Sequence, residues 1–400
     1  MTLTSRLSNQ AKLLLFISSL YSFSSLLSGT FVPIYLWKYS GSYIHIGSYI
    51  LAQYLSSGLL FYLCGQAVKQ GKKRQIMQLG AFSSALFYGI ILLFGTYAHT
   101  YIMLLGLVYG IGVAFFWLTY NVYYFEITDA NNRDRYNGWQ GMLTACCGIL
   151  APYLSSRLIV WLGSDLGYRI IFICSLILYA IIIVLSIKLE KRKEVGQFNW
   201  KFPLYALLKP NKQWSQLGYS IIAQGIREGM FLSMLPLIIY IATKNEGQIG
   251  TYTLVTSLLA FVSNYILGKT LKKHFRNKAM LIGALGSWLA VTLILIKSGF
   301  SGLILFGSIT AIVWPLFIVP FTSIVFDQIG KNKEAVKLKE EIIVFRELAL
   351  MIGRFIGLIP FFIYSFWLSQ YEINLGWILL LVGISPLISV FFIVKINKNS

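Results

Sequence analysis

The chain is a succession of apolar runs of about 20 residues, separated by short, polar and mostly basic connections. Such runs are read as helices. About 20 residues rising 1.5 Å each cover the roughly 30 Å hydrocarbon core of a bilayer, and a helix satisfies its own backbone groups there. Twelve runs fit the pattern. Six lie at about 12–37, 43–66, 75–96, 100–126, 138–163 and 168–189, and six more at about 217–243, 248–268, 279–298, 301–326, 342–368 and 374–395. No connection is long enough for a folded soluble domain. The expected fold class is an all-α polytopic membrane protein with twelve transmembrane helices. The first run exceeds the roughly 7–15-residue h-region of a signal peptide and lacks a small-residue cleavage site, so it reads as a signal-anchor and first span.

Composition points the same way. Of 400 residues, 57% are hydrophobic and 12% charged, with a mean hydropathy of +0.69. A soluble domain carries about 25% charged residues, so most of this surface faces lipid rather than water. The aromatic share, 16%, suits Tyr and Trp belts at the two membrane interfaces. A net charge of +20 on a soluble chain would raise nucleic acid as a partner. Here the positive residues fall between the apolar runs and serve topology, so no nucleic-acid partner is expected. On alternate connections, starting with the N-terminus, lie 26 of the 34 Lys and Arg residues; the other side holds Lys38, Arg157, Arg169, Lys244 and Lys297. By the positive-inside rule both termini are cytoplasmic, the span number is even, and the chain is multi-pass in the inner or plasma membrane. Cys64, Cys146, Cys147 and Cys174 lie inside apolar runs at irregular spacing and read as small packing residues, not a disulfide or zinc framework. His45, His99 and His274 fall near span ends, and no metal or cofactor is called for.

The longest and most basic connection runs from Glu190 to Gln216. It divides the chain into an N-terminal six-helix half (1–189), a cytoplasmic central linker (190–216) and a C-terminal six-helix half (217–400). Internal similarity supports a duplication. Gly65-Gln-Ala-Val-Lys-Gln-Gly-Lys-Lys-Arg74 follows the second span, and Gly268-Lys-Thr-Leu-Lys-Lys-His-Phe-Arg-Asn-Lys278 follows the eighth, about 203 residues on. Each is a helix-ending glycine and a short basic turn. Pro152 and Pro360 stand after small residues in the fifth and eleventh spans.

Twelve spans, cytoplasmic termini, a long central loop and these paired basic turns together resemble the major facilitator superfamily over the whole chain. The turn after span two usually reads Gly-x-Leu-Ala-Asp-Arg-x-Gly-Arg-Arg in that family. Gly65 and Gly71-Lys72-Lys73-Arg74 match it, with Ala67 offset by one; the turn is one residue shorter, and Val68 or Lys69 stands at the acidic position. Gly138-x8-Cys147-x3-Ala151-Pro152-x2-Ser155-Ser156 keeps the spacing of the family's span-five antiporter signature, with other small residues replacing glycines. Small residues let two helix backbones approach, so the segment is either ordinary close packing or an exporter-type outer gate. Gly353 and Gly357 in span eleven are further candidate gating or packing positions. The resemblance implies two halves, each of 3+3 inverted repeats, rocking around a central cavity. It also implies a monomeric secondary transporter for a small molecule, working among membrane lipids. No Gly-x4-Gly-Lys-Ser/Thr loop occurs, so ATP-driven transport is not expected.

Charges at mid-membrane cost at least about 2.5–3.5 kcal/mol each, so each needs a reason. Arg227 and Glu228 lie near the middle of span seven, and Arg346, Glu347 and Arg354 lie in span eleven. Glu347 and Arg354, seven apart, project from nearly one helix face. The five form either a structural ion-pair network between the two spans or a working site. In the working site Glu228 couples protons, with Glu347 as second choice, and Arg227, Arg354 and Arg346 contact an anionic substrate. Desolvation drives a buried carboxylate toward its neutral form and a nearby arginine toward its anion, so substrate arrival changes proton occupancy. Trp117, Tyr120, Asn121 and Tyr124 in span four, and Trp314 in span ten, are either packing or the wall of a cavity for an amphipathic solute. Ser18, Ser22, Ser25 and Gly29 make a small polar stripe in span one.

The reading this supports is a proton-coupled exporter of a small amphipathic or anionic solute. Alternatives are a lipid or lipid-linked flippase of the same fold, or a polytopic membrane enzyme. The enzyme would need His and acids clustered at one face, whereas the extracytoplasmic loops hold only Asp165, Glu246 and Glu372 as acids. Topology is testable by single-cysteine labelling in a cysteine-free background with an impermeant reagent. Lys244→Cys and Glu372→Cys should label from outside intact cells, while Lys72→Cys and Lys339→Cys should not. Labelling of Lys72→Cys from outside overturns the orientation.

Overall fold

The structure, a computed structural model, describes residues 7–128, 132–190, 196–208, 212–271, 273–297, 299–329, 338–368 and 375–398. Glu372 and several of the basic residues counted above, among them Arg6, Arg192 and Lys333, lie outside the described residues. Among the described residues every regular element is helical. The chain forms two compact units: Met1–Gly41 with Ser48–Phe198, and Ser42–Gly47 with Asn199–Ser400.

In the first unit the helices are α1 (Asn9–Gly29), α2 (Val32–Ser40), α3 (Tyr43–Ala67, mostly in this unit), α4 (Lys73–Phe94), α5 (Ile102–Ile127), α6 (Arg133–Leu162) and α7 (Ser164–Ser186). The first apolar run is broken between α1 and α2, with Pro33 in the first turn of α2, where its missing N–H costs nothing. The second unit holds α8 (Lys201–Leu208), α9 (Lys212–Thr243), α10 (Glu246–Thr270), α11 (Arg276–Ala290), α12 (Thr292–Ile296), α13 (Phe300–Ile329), α14 (Lys339–Ile363), α15 (Gly376–Gly383) and α16 (Ser385–Lys398). The expected linker 190–216 therefore contains a helix. Asn199 starts it, its Oδ1 accepting from Lys201 N and Phe202 N, and α8 packs on α9 and α14.

Nine helical stretches among the described residues are long and apolar enough to cross a membrane. One of them, Tyr43–Ile127, runs through α3, α4 and α5. Helix α14 is outside the nine and carries Lys339, Glu340, Glu341, Arg346, Glu347 and Arg354. This layout fits twelve spans, with the ninth divided into α11 and α12 and the twelfth into α15 and α16. Pro386 in the first turn of α16 explains the second break.

The two units repeat one packing scheme. In the first, α1 packs on α6 and α7, and α4 on α5 and α7; in the second, α9 packs on α14 and α16, and α11 on α13 and α16. Even the close contacts recur. A Cβ on Gly80 of α4 would lie 2.7 Å from the Phe116 nitrogen of α5, and one on Gly283 of α11 would lie 2.5 Å from the Phe317 nitrogen of α13. Gly80 and Gly283 stand 203 positions apart.

The basic turn after α3 is fastened at three points. Gly71 takes φ +83°, a conformation that only glycine adopts at little cost. Lys73, almost fully buried, makes an ion pair with Glu126 at the end of α5. Arg74 Nη1 donates to Ile187 O at the end of α7, 3.0 Å away, where a cation also suits the helix C-terminus. An acid missing from the turn's own sequence is thus met in space by Glu126.

A close crossing joins α9 and α14. A Cβ on Gly225 would lie 2.6 Å from Leu350 O, and Gly229, Gly353 and Gly357 press on the backbones of Arg354, Ile222 and Ile226. Two glycines four apart on each helix let the backbones meet. By contrast, a Cβ on Gly138 of α6 would meet nothing within 4 Å, so that glycine makes no close contact in its unit. Overpacking costs about 1–3 kcal/mol. Gly353→Leu should therefore lower the melting temperature by about 3 °C or more, with Gly138→Leu nearly silent. Equal effects, measured by thermal denaturation in detergent, would sink this account of the crossing.

Candidate functional site

Helix α9 brings Arg227 and Glu228 to the crossing between its two glycines, and α14 brings Arg354 directly after Gly353. Close backbones make short side-chain links. Arg354 donates to Glu228 Oε2 from Nη2 at 2.9 Å and from Nε at 3.2 Å. Gln224, one turn before Glu228 and 3% exposed, donates from Nε2 to Glu228 Oε1 at 2.6 Å. Both carboxylate oxygens are therefore engaged, one by a cation and one by a neutral amide. Such charge-assisted bonds are the strong ones in a low-dielectric setting.

The other two charges of α14 form a separate pair. Arg346 Nη1 reaches Glu347 Oε1 at 2.8 Å, and the Arg346 guanidinium lies 5.6 Å from the Phe326 ring. The five expected charges are thus two ion pairs and one further arginine, with Glu228 bound to Arg354.

Arg227 sits one residue before Glu228, which turns it by about 100° around the helix, toward α13. Its guanidinium lies 3.8 Å from the centre of the Trp314 ring and 4.6 Å from that of Phe231. The side chain is 7% exposed, and its buried Nε has no hydrogen-bond partner among the described residues. Stacking on an indole face is worth about 2 kcal/mol when desolvated, and it leaves the in-plane N–H donors unused by the ring.

In the first unit, the α5 aromatics pack on α1 and α6. Trp117 meets Tyr120 and Tyr21 edge-on at 5.3 and 6.0 Å, and Tyr120 accepts from the Tyr136 hydroxyl at 3.5 Å. Tyr124 packs 5.4 Å from the Tyr136 ring. Tyr120 is buried, while Trp117, Asn121 and Tyr124 remain half-buried. The span-five segment lies against α1: Ala151 is fully buried, Ser155 Oγ donates to Leu27 O at 2.5 Å, and Cys147 Sγ to Ser19 O at 3.5 Å. Cys146, beside it, is exposed. Of the serine stripe, Ser18 donates to Gln140 Oε1 at 2.9 Å and Ser25 bonds the Tyr109 hydroxyl at 3.0 Å.

Sequence reasoning passed over three features here. Gln224 has no local signal. Gly225 and Gly229 form a small-x3-small pattern that was readable beside Gly353 and Gly357. Ser24 and Ser28, also four apart, clasp Ser175 of α7: Ser28 Oγ is 2.6 Å from Ser175 Oγ, and Ser24 Oγ donates to Ser175 O at 3.1 Å.

Comparison with known proteins places this architecture. The sequence profile of the Major Facilitator Superfamily matches residues 14–336. The chain is 35% identical over 379 residues to YqgE of Bacillus subtilis (strain 168), covering 94% of this chain and 88% of that protein. It is 38% identical over 161 residues to the sodM 3′-region protein of Geobacillus stearothermophilus, covering 40% and 75%. A bacterial homologue of the iron transporter ferroportin, in its outward-facing state, superposes with a TM-score of 0.69 at 13% identity, over 98% of this chain and 100% of that one. The nucleoside transporter NupG superposes at 0.70 with 12% identity over the same shares. At those identities the structural likeness is one of fold alone. The family profile, with that fold behind it, identifies the chain as a member of the Major Facilitator Superfamily: a multi-pass secondary transporter of small molecules, not an enzyme.

Proposed function

We propose that this transporter exports a small amphipathic or anionic solute across the plasma membrane by alternating access, driven by proton entry through Glu228. The observation that carries the reading is the Glu228–Arg354 pair at the α9–α14 crossing, with Gln224 holding the second carboxylate oxygen. A proton on Glu228 cancels the charge that holds Arg354, so protonation and release of the guanidinium are one event. The glycine-packed crossing around the pair cannot deform smoothly, so a change in the pair selects between discrete packings.

Export, with both termini cytoplasmic, is supported by the span-five segment. Ala151 and Ser155 lie buried on α1, a contact that an outward gate would make and break. Residues that alternate between touching and parting tolerate no added bulk. Ala151→Leu and Ser155→Leu should therefore insert normally and lose transport by about tenfold or more. Unchanged transport in both variants would rule out a gate in this segment.

For Glu228, the test uses a solute that stabilises the purified protein against heat. Glu228→Gln keeps shape and hydrogen bonding but carries no exchangeable charge. Uphill transport of that solute should vanish while downhill exchange survives with a flattened pH dependence. A purely structural pair behaves otherwise: breaking it strands the half-buried Arg354 without its partner, at a cost of up to about 3–5 kcal/mol. Expression would then fall, and adding Arg354→Gln would restore it. A well-folded Glu228→Gln protein with normal uphill transport defeats the coupling role.

A further inference from the structure

We propose that Arg227 is the anchor for a soluble organic anion with a flat apolar body, held by its carboxylate or comparable oxyanion beside the Trp314 ring in the second unit. This deepens the export reading above and rests on it for the direction of movement, but not for binding. Glu228 is engaged by Arg354 and Gln224, and Glu347 by Arg346. Among the described residues no carboxylate makes an ion pair with Arg227. A guanidinium at mid-membrane, 7% exposed and with no ion-paired carboxylate among the described residues, is not kept for stability, because an apolar side chain of similar size would be cheaper there.

Geometry then selects the ligand. The Arg227 guanidinium lies over the Trp314 ring at 3.8 Å, and Phe231 stands at 4.6 Å. Stacking leaves the guanidinium edge, with its N–H donors, for acceptors in the plane, and the buried Nε has none among the described residues. A forked donor edge fits the two oxygens of a carboxylate, which a lysine would hold only as a point charge. The Trp314 and Phe231 rings are its aromatic walls, backed by Phe306, 5.9 Å from Phe231, and by Phe317, 4.8 Å from Trp314. Such walls favour a ligand whose body is itself apolar and flat, and they offer little to a fully hydrated inorganic anion. A cation is repelled.

The test uses the purified full-length protein in neutral detergent, titrated with benzoate, 1-naphthoate, the neutral amides benzamide and 1-naphthamide, inorganic phosphate, and phosphatidylglycerol in mixed micelles. Binding is read as concentration-dependent thermal stabilisation. The naphthoate should stabilise at lower concentration than benzoate, and the amides and phosphate not at all. Arg227→Lys should weaken naphthoate by about tenfold or more, through loss of the fork, and Trp314→Leu should weaken naphthoate more than benzoate. Arg227→Gln should abolish the response; where that variant folds poorly, the lysine variant decides. Naphthoate binding by the unaltered protein without proton-driven uphill transport of it would defeat the coupling reading and leave the anchor standing, which separates the two failures. Equal stabilisation by acids and amides, or an undiminished response in Arg227→Lys, overturns the proposal. So does stabilisation by phosphate or phosphatidylglycerol without the aryl carboxylates, which would assign the site to an inorganic anion or a lipid headgroup.

Discussion

The second unit depends on one contact: the face-to-face approach of α9 and α14 through Gly225, Gly229, Gly353 and Gly357. Between helices in lipid there is no hydrophobic gain from burial, so association rests on close van der Waals fit and on polar links inside it. The four glycines supply the fit. They also fix where Arg354 emerges relative to Glu228, since Gly229 lies against the backbone of Arg354 itself. The ion pair is a product of the crossing, and the crossing in turn is pinned by the pair. Packing and charge here cannot be altered separately.

The first unit uses the same pairing of helices with different chemistry. Where α9 meets α13 through a guanidinium on an indole, α1 meets α5 through Tyr21 stacked on Phe116 at 3.6 Å. Hydroxyls do the rest: Ser24, Ser28 and Ser175 clasp α1 to α7, and Ser155 ties α6 to α1. Serine hydroxyls that return their bonds to nearby carbonyls cost little in lipid and bring backbones together. In the first unit α1 is therefore tied to its neighbours by neutral hydrogen bonds, whereas its counterpart α9 is tied to α14 by an ion pair.

The helices were legible in the sequence because an apolar run of bilayer length has few other readings. Breaks inside them were less so. Pro386 announces the division of the last span, but nothing at Val291 announces the end of α11. The charged residues of the candidate site stood out in the sequence for an energetic reason, since each is too costly in lipid to stand there by chance. Their partners did not. Arg227 and Glu228 are neighbours in sequence and diverge by 100° in space, so the choice of Arg354 over Arg227 is made by a crossing 126 positions away. Lys73 and Glu126 pose the same difficulty across 53 positions. Gly138 shows the converse: its spacing matches a family pattern, yet the structure leaves it open space.

The charge on Arg227 also has an electrical meaning. A charge at mid-depth feels the membrane potential, and carrying one elementary charge across 100 mV is worth about 2.3 kcal/mol. The Glu228–Arg354 and Arg346–Glu347 pairs are neutral dipoles, so the spans α9 and α14 together carry the single positive charge of Arg227 at that depth. With a monovalent anion seated on it, that charge disappears. On the anchor proposed above, voltage would then act on the empty unit and hardly at all on the loaded one, and the return stroke of the cycle, rather than the carrying stroke, would be the step that a polarised membrane controls.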